Sequence, residues 1–561
     1  MNFDFDSQTR RKLGYQLIEV VDRFFASLAD RPVQPPAEDR IYPPRFSRLP
    51  ETGEDPSQVL DQLCGELVDN GFHVPSAHYL GMMNPTPTYM AFLAESLVAA
   101  LNPQLASLDR SQMASRIEAE TVRWVGELVG WQTAPSGTFT TGGNEANFSA
   151  LAMALSAQFP GTIENGLASI GAQPVFYASM EGHHSLDKSA GLLGLGRRAL
   201  RRIPVNERLQ LDVQQLEAAI KDDLESGKKP FCIVATAGTT SSGAIDDIPR
   251  IHDICRRYNI WLHVDGAYGA AVLFSNQHRG LVRGIEQADS VTFDPHKWLA
   301  MPFAAGLLLT RHPEILERTF SVACPYLQKA PAGTLPDNRN ISAQWSRRMN
   351  SLKLWMTLRV HGRRAYERLI DRQMRLAQSF ARWVANSEYF ELAAPQVLPI
   401  LNLRVRAEAI TQQKIDALHA SIIEEVNRDG QRWISSATVN GQSVIRTMVI
   451  SYLTEERHLK DLQASLVAAC SSLGLESSCR DGRPRKPAAE APSEAEGEVE
   501  GSMPSDARQR PLQAPSLSPD HVPQSRLVMD NQHRALQFRR LASPELGEQA
   551  GDSFAAGADQ L

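Results

Sequence analysis

The chain reads as an α/β protein, with a large domain on a mostly parallel sheet followed by a small α+β domain. Three observations predict this. Between residues 92 and 360, strand-like and helix-like segments alternate, the pattern of parallel strands joined by covering helices. Short apolar runs that open at Val234, Ile260 and Ser290 give way abruptly to small or polar residues, as buried strands do at a sheet edge. After Lys353-Leu354-Trp355 a long amphipathic helix leads into a region with strand-like segments at Ile400 to Val405 and Ser443 to Tyr452.

The elements divide the chain into 1–91, 92–360, 361–475 and 476–561. In the first, Leu13, Leu17, Val20, Val21, Phe24 and Phe25 recur at helical spacing, before a proline-rich stretch from Arg31 to Pro44. A helix whose apolar face lacks a neighbouring partner packs either on a second subunit or on its own domain. The last division is rich in Pro, Ala, Ser, Glu and Gly. It cannot bury enough apolar area to offset its chain entropy, so disorder is expected, apart from a short apolar-spaced stretch at Arg526 to Leu541. A formal net charge of -6 argues against nucleic acid or anionic membrane as a partner. Six cysteines without a CxxC pair fit reduced thiols. No apolar stretch approaches the roughly twenty residues that span a bilayer, and Met1 to Asp6 lack the basic and apolar regions of a signal peptide. A soluble cytoplasmic protein is expected.

Chemistry enters at Ser290-Val291-Thr292-Phe293-Asp294-Pro295-His296-Lys297-Trp298. A lysine at the end of a predicted buried strand is costly unless its amine has a partner or a task. The task that fits is a Schiff base with an aldehyde cofactor, because desolvation favours the free, nucleophilic amine. This stretch resembles the group II pyridoxal-phosphate decarboxylases, the family of the aromatic amino acid, histidine and glutamate decarboxylases. In that family the lysine of an (Asn/Asp)-x-His-Lys motif carries the cofactor. The resemblance covers roughly residues 10–475. It implies a type I pyridoxal-phosphate-dependent transferase (aspartate aminotransferase-like) fold, a homodimer embraced by the N-terminal arm, and an amino acid substrate.

Other motifs add to it. In Ile260 to Ala270 a strand delivers Asp265, a carboxylate that would keep a pyridine nitrogen protonated. About one βαβ unit separates it from Lys297, so the two can share a pocket. By resemblance, Ala267 packs on the ring face. Thr140-Thr141-Gly142-Gly143-Asn144 opens an alanine-rich helix, an anion site by exposed N–H groups and dipole together; the resemblance makes Gly143 and Asn144 phosphate ligands. His183 matches the family's stacking histidine, Thr236 a cofactor contact, and His296 a phosphate contact. Paired His183 and His184 could instead bind a metal, but no HExxH or cysteine cluster accompanies them, and no metal is expected. Relatives often carry Asn where Asp294 stands. A carboxylate beside a phosphate would repel it, so Asp294 points elsewhere or depends on a hydrogen-bond donor.

The expected reaction is decarboxylation of an L-amino acid to its amine, with Tyr326 as the candidate donor of the proton that replaces CO2. Tyr326 opens a stretch rich in Gly, Pro, Asp and Asn that reads as a lid. In the family this loop serves the neighbouring subunit's site. Met82, Met83 and Asn84 lie in a segment resembling the family's substrate side, and Trp298 leans toward the aromatic and histidine branch. The choice of amino acid stays open. An aldehyde synthase or aminotransferase on the same scaffold is the alternative, as is a non-catalytic protein acting through its tail.

Overall fold

Among the described residues, seven strands form the main sheet: β1 (Ser136–Thr140), β2 (Pro174–Ser179), β3 (Leu200–Ile203), β4 (Lys229–Thr236), β5 (Trp261–Asp265), β6 (Ser290–Phe293) and β7 (Gly306–Thr310). Their order is β1-β7-β6-β5-β4-β2-β3. β7 runs opposite to the other six, which are parallel to one another. The computed structural model describes residues 3–40, 49–131, 135–323, 335–406 and 410–475. Because helices cover both faces, every residue of β2 and β5 is buried. Phe176, Ile233 and Val264 are wholly enclosed. Each contributes about 1.5–3 kcal/mol by leaving water, and Ile233→Ala would cost about 2–5 kcal/mol because a packed core relaxes only partly around the void.

Register decides where chemistry can occur. Thr236 pairs with Asp265, and Asp265 with Thr292, so the carboxyl ends of β4, β5 and β6 lie side by side. β6 stops at Phe293, four residues earlier than the position of Lys297, which lies beyond a turn rather than on the strand. Pro295 explains the stop, since it has no N–H for a ladder and its ring fixes φ.

The second sheet holds β8 (Phe390–Leu392), β9 (Ile400–Val405), β10 (Ser435–Val439) and β11 (Gln442–Met448), all antiparallel, in the order β10-β11-β9-β8. Leu401, Leu403, Ile422, Ile445 and Leu462 build a core of their own beneath it. The helix Ser351–Asn386 links the two regions and leaves helical geometry at Gly362, where φ is 71° and ψ 166°. Glycine takes that conformation without a Cβ penalty. Near the amino terminus, the helices Ser7–Ser27 and Pro56–Asp69 contain no buried residue; Tyr15, Leu17, Ile18, Leu63 and Leu67 stay exposed. Among the described residues, no helix is long and apolar enough to cross a membrane.

Candidate active site

At the carboxyl edge of β4, β5 and β6 lies a cavity of about 250 Å³. Gly143, Asn144, His183, Thr236, Asp265, Ala267, His296 and Lys297 all line it, so the structure brings these sequence-predicted residues together. Met82, Met83 and Asn84 are not among the lining residues. Met83 is buried in the main core, whereas Met82 is partly exposed, with its Sδ 2.8 Å from Arg446 Nη2. Tyr326 falls outside the described residues. Trp298 is wholly buried, stacked on Tyr268 and bonded to Gln373, so its identity reports core packing.

Asp265 is held as a hydrogen-bond acceptor. Its Oδ2 accepts from Asn147 Nδ2 at 2.8 Å, and Oδ1 from the Ala267 N–H at 3.2 Å. Asn147 Oδ1 accepts from Thr292 Oγ1 at 2.7 Å and lies 3.0 Å from His263 Nε2. On the other side of the ring, His263 Nδ1 lies 2.9 Å from Ser290 Oγ and 3.2 Å from the Ser290 carbonyl oxygen. Burial pushes the His263 pKa down to about 4 against the opposing charge of Asp265, so the imidazole is neutral near pH 7. A chain of fixed partners therefore orients the one carboxylate that a pyridinium would need.

At the other end of the cavity, the helix Gly143–Gln158 begins directly after the turn from β1 and aims its first amides inward. A Cβ on Gly143 would lie 3.2 Å from Ala267 Cβ and 2.8 Å from Asp294 Oδ2, so a side chain there would close this cradle. His296 Nδ1 accepts from the Ala305 N–H at 3.0 Å, which places its proton on Nε2. Burial, then the charges of Lys297 and Lys353, lower its pKa to about 3. A neutral His296 thus offers an N–H donor at the cavity. Lys297 Nζ lies 3.6 Å from Asp294 Oδ2. Thr236 Oγ1 is buried beside the cavity without a hydrogen-bond partner among the described residues.

Asn147, His263 and Thr292 form a network that reading the sequence missed. A polar side chain on an otherwise alanine-rich helix face, and a histidine two residues before Asp265 on the same strand face, were the available signals. Arg446, on β11, was also missed: its Nη1 donates to Thr240 O at 3.0 Å, and Thr240 lines the cavity.

These donors fit pyridoxal phosphate: a cradle of amides for its phosphate, an oriented carboxylate for its ring nitrogen, and an amine for its aldehyde. A sequence profile described as the pyridoxal-dependent decarboxylase conserved domain matches residues 44–406, and the chain belongs to this family. It is 28% identical to an aromatic-L-amino-acid decarboxylase of Bacillus atrophaeus over 85% of this chain and 99% of that one. A phenylacetaldehyde synthase of Arabidopsis thaliana is 26% identical, over 81% of this chain and 93% of its own. The solved structure of mouse CSAD superposes with a TM-score of 0.78 at 24% identity, covering 83% of this chain and 99% of that one. The protein therefore has the type I pyridoxal-phosphate-dependent transferase fold and is a pyridoxal-phosphate-dependent carboxy-lyase.

Proposed function

We propose that this protein removes the α-carboxyl group of an L-amino acid as CO2 and releases the corresponding amine. The observation that carries the proposal is Asp265, a buried carboxylate fixed by Asn147 and Ala267 in the same cavity as Lys297 and His183. Bound pyridoxal phosphate supplies an electron sink for the pair left on the α-carbon when CO2 departs. Lys297 would hold its aldehyde carbon, Asp265 its ring nitrogen, His183 and Ala267 the two ring faces, and Gly143, Asn144, Thr236 and His296 its phosphate side.

The remaining work belongs to the chain. Arg446 is held by Thr240 O and by Ser435 Oγ at 3.1 Å, and would anchor a substrate carboxylate. Met82, in contact with that guanidinium, would border the substrate. Tyr326 would return a proton to the α-carbon. The exposed apolar face of the helix Ser7–Ser27 supports a homodimer through the N-terminal arm. The free thiols Cys64, Cys232, Cys255 and Cys470 support work in the cytoplasm.

A second reading, aldehyde synthesis, draws on the similarity to a phenylacetaldehyde synthase. One assay separates them: purified protein with pyridoxal phosphate is offered a panel of amino acids while CO2, amine, aldehyde and ammonia are recorded. Amine equal to CO2 is expected, with Tyr326→Phe shifting product toward aldehyde and ammonia. Aldehyde as the main product of the wild type would favour the second reading, and no CO2 from any amino acid would refute both.

A further inference from the structure

Asp294 is a cavity residue whose set of partners is incomplete. Its side chain is 2% exposed, yet only one oxygen is hydrogen-bonded. Oδ2 accepts from the Gly143 N–H at 2.9 Å and lies 3.6 Å from Lys297 Nζ and 3.5 Å from His296 Nε2. Oδ1 is buried with no hydrogen-bond partner among the described residues. The Gly143 amide belongs to the first turn of the helix Gly143–Gln158, so the carboxylate occupies the place of an anion at that helix end.

An ionised carboxylate and a phosphate ester are both acceptors, and two anions competing for one amide repel. A phosphate that takes the Gly143 amide displaces Oδ2 and leaves the carboxylate short of donors in a buried position. The neutral acid carries a proton that it can share with a phosphate oxygen. Resting on the cofactor reading above, we propose that the cofactor's phosphate binds together with one proton from solvent. Asp294 takes up that proton and becomes a neutral hydrogen-bond donor to the phosphate.

The groups facing Asp294 set the pH window. Burial raises its pKa to about 6; Lys297 on the same turn and the Gly143 amide oppose the rise, and Asp265 from β5 adds to it. His296 faces it as a neutral ring. A bound phosphate anion raises the pKa further. Below pH of about 6 the acid is already protonated and binding takes up nothing. Between that value and the higher one of the complex, binding consumes a proton, and affinity falls by up to about tenfold per pH unit as pH rises.

The test uses full-length, cofactor-free protein and pyridoxine 5′-phosphate, which carries the phosphate but no aldehyde to react with Lys297. Titration calorimetry in two buffers of different ionisation enthalpy counts the protons taken up, with Asp294→Asn and Asp294→Ser in parallel. Both variants keep a donor that does not titrate, and both cancel the ligand's own phosphate ionisation. Near pH 7.5 the wild type is expected to take up about one proton more than either variant, with its affinity falling more steeply toward alkaline pH. Equal proton numbers and parallel pH profiles in the wild type and a folded variant overturn the proposal. Absence of wild-type binding to both pyridoxine phosphate and pyridoxal phosphate would instead overturn the cofactor reading, and the proposal with it.

Discussion

Two aspartates bracket β6, and their surroundings are opposite. Asp289, just before the strand, is saturated: Oδ1 accepts from Arg311 at 2.7 Å and lies 2.9 Å from His312 Nε2, while Oδ2 accepts from the Leu262 N–H at 2.8 Å. Burial alone would raise its pKa, but these bonds outweigh it and hold the group below the usual carboxylate range. Asp294, just after the strand, has one backbone donor, an unpartnered oxygen among the described residues, and a pKa raised to about 6. The same side chain is a fully partnered strut at one end of the sheet and an under-partnered acid at the other. Incomplete partnering at the carboxyl edge marks where the fold keeps donors and acceptors for a ligand.

The contrast can be broken by substitution at either end. The largest effect is expected from Asp265→Ala. Turnover should fall by roughly a hundredfold or more, about 2.7 kcal/mol of barrier at ~1.36 kcal/mol per decade, because nothing else would keep the ring nitrogen protonated. Steady-state kinetics with saturating cofactor measure it, and near-normal kcat would remove Asp265 from the chemistry.

A smaller effect, of two kinds, is expected from Asn147→Ala. It strips partners from Asp265, Thr292 and His263 at once. The unsatisfied buried groups should cost about 1–3 kcal/mol of stability, and loss of orientation at Asp265 about tenfold in kcat. Denaturant melts and kinetics on one preparation read both; unchanged values would show that the network is ornamental.

Asp289→Asn should affect stability only. The expected loss is about 1–2 kcal/mol near neutral pH, discounted because Arg311 and His312 are partly exposed. A depressed folded-state pKa stabilises above the unfolded value of about 4 and ceases to do so as pH falls through it. The gap between wild type and variant should therefore close as pH falls below the unfolded value and through the lower folded one. A kcat defect in this variant would contradict the division between the two ends. Least of all is expected from truncation after residue 475, which removes the tail of biased composition: turnover within about twofold.

Legibility in the sequence followed the range of the interaction. Lys297, Asp265, Gly143 and His183 stand in local motifs, and the cavity gathers all four. Alternating segments revealed the parallel sheet, although β7 runs antiparallel and β6 ends before Lys297. The links from Asn147 to Asp265, Thr292 and His263 depend on strand register and on a helix laid across the sheet, which no local pattern reports. Met83 shows the reverse error, since an adaptable apolar side chain read as substrate-facing packs in the core. Tyr326 and the tail fall outside the described residues.

Lys297 and Lys353 offer the most direct test, because both amines are enclosed but only one is left available. Lys353 Nζ donates to Ala304 O at 2.7 Å and lies 3.1 Å from Glu95; Lys297 faces the cavity with Asp294 at 3.6 Å. Holoenzyme reduced with borohydride and then digested should carry a stable pyridoxyl group on the peptide containing Lys297, with none on that of Lys353. A label on another lysine, or a reducible linkage that survives Lys297→Ala, would contradict the assignment of Lys297 as the residue that holds the cofactor.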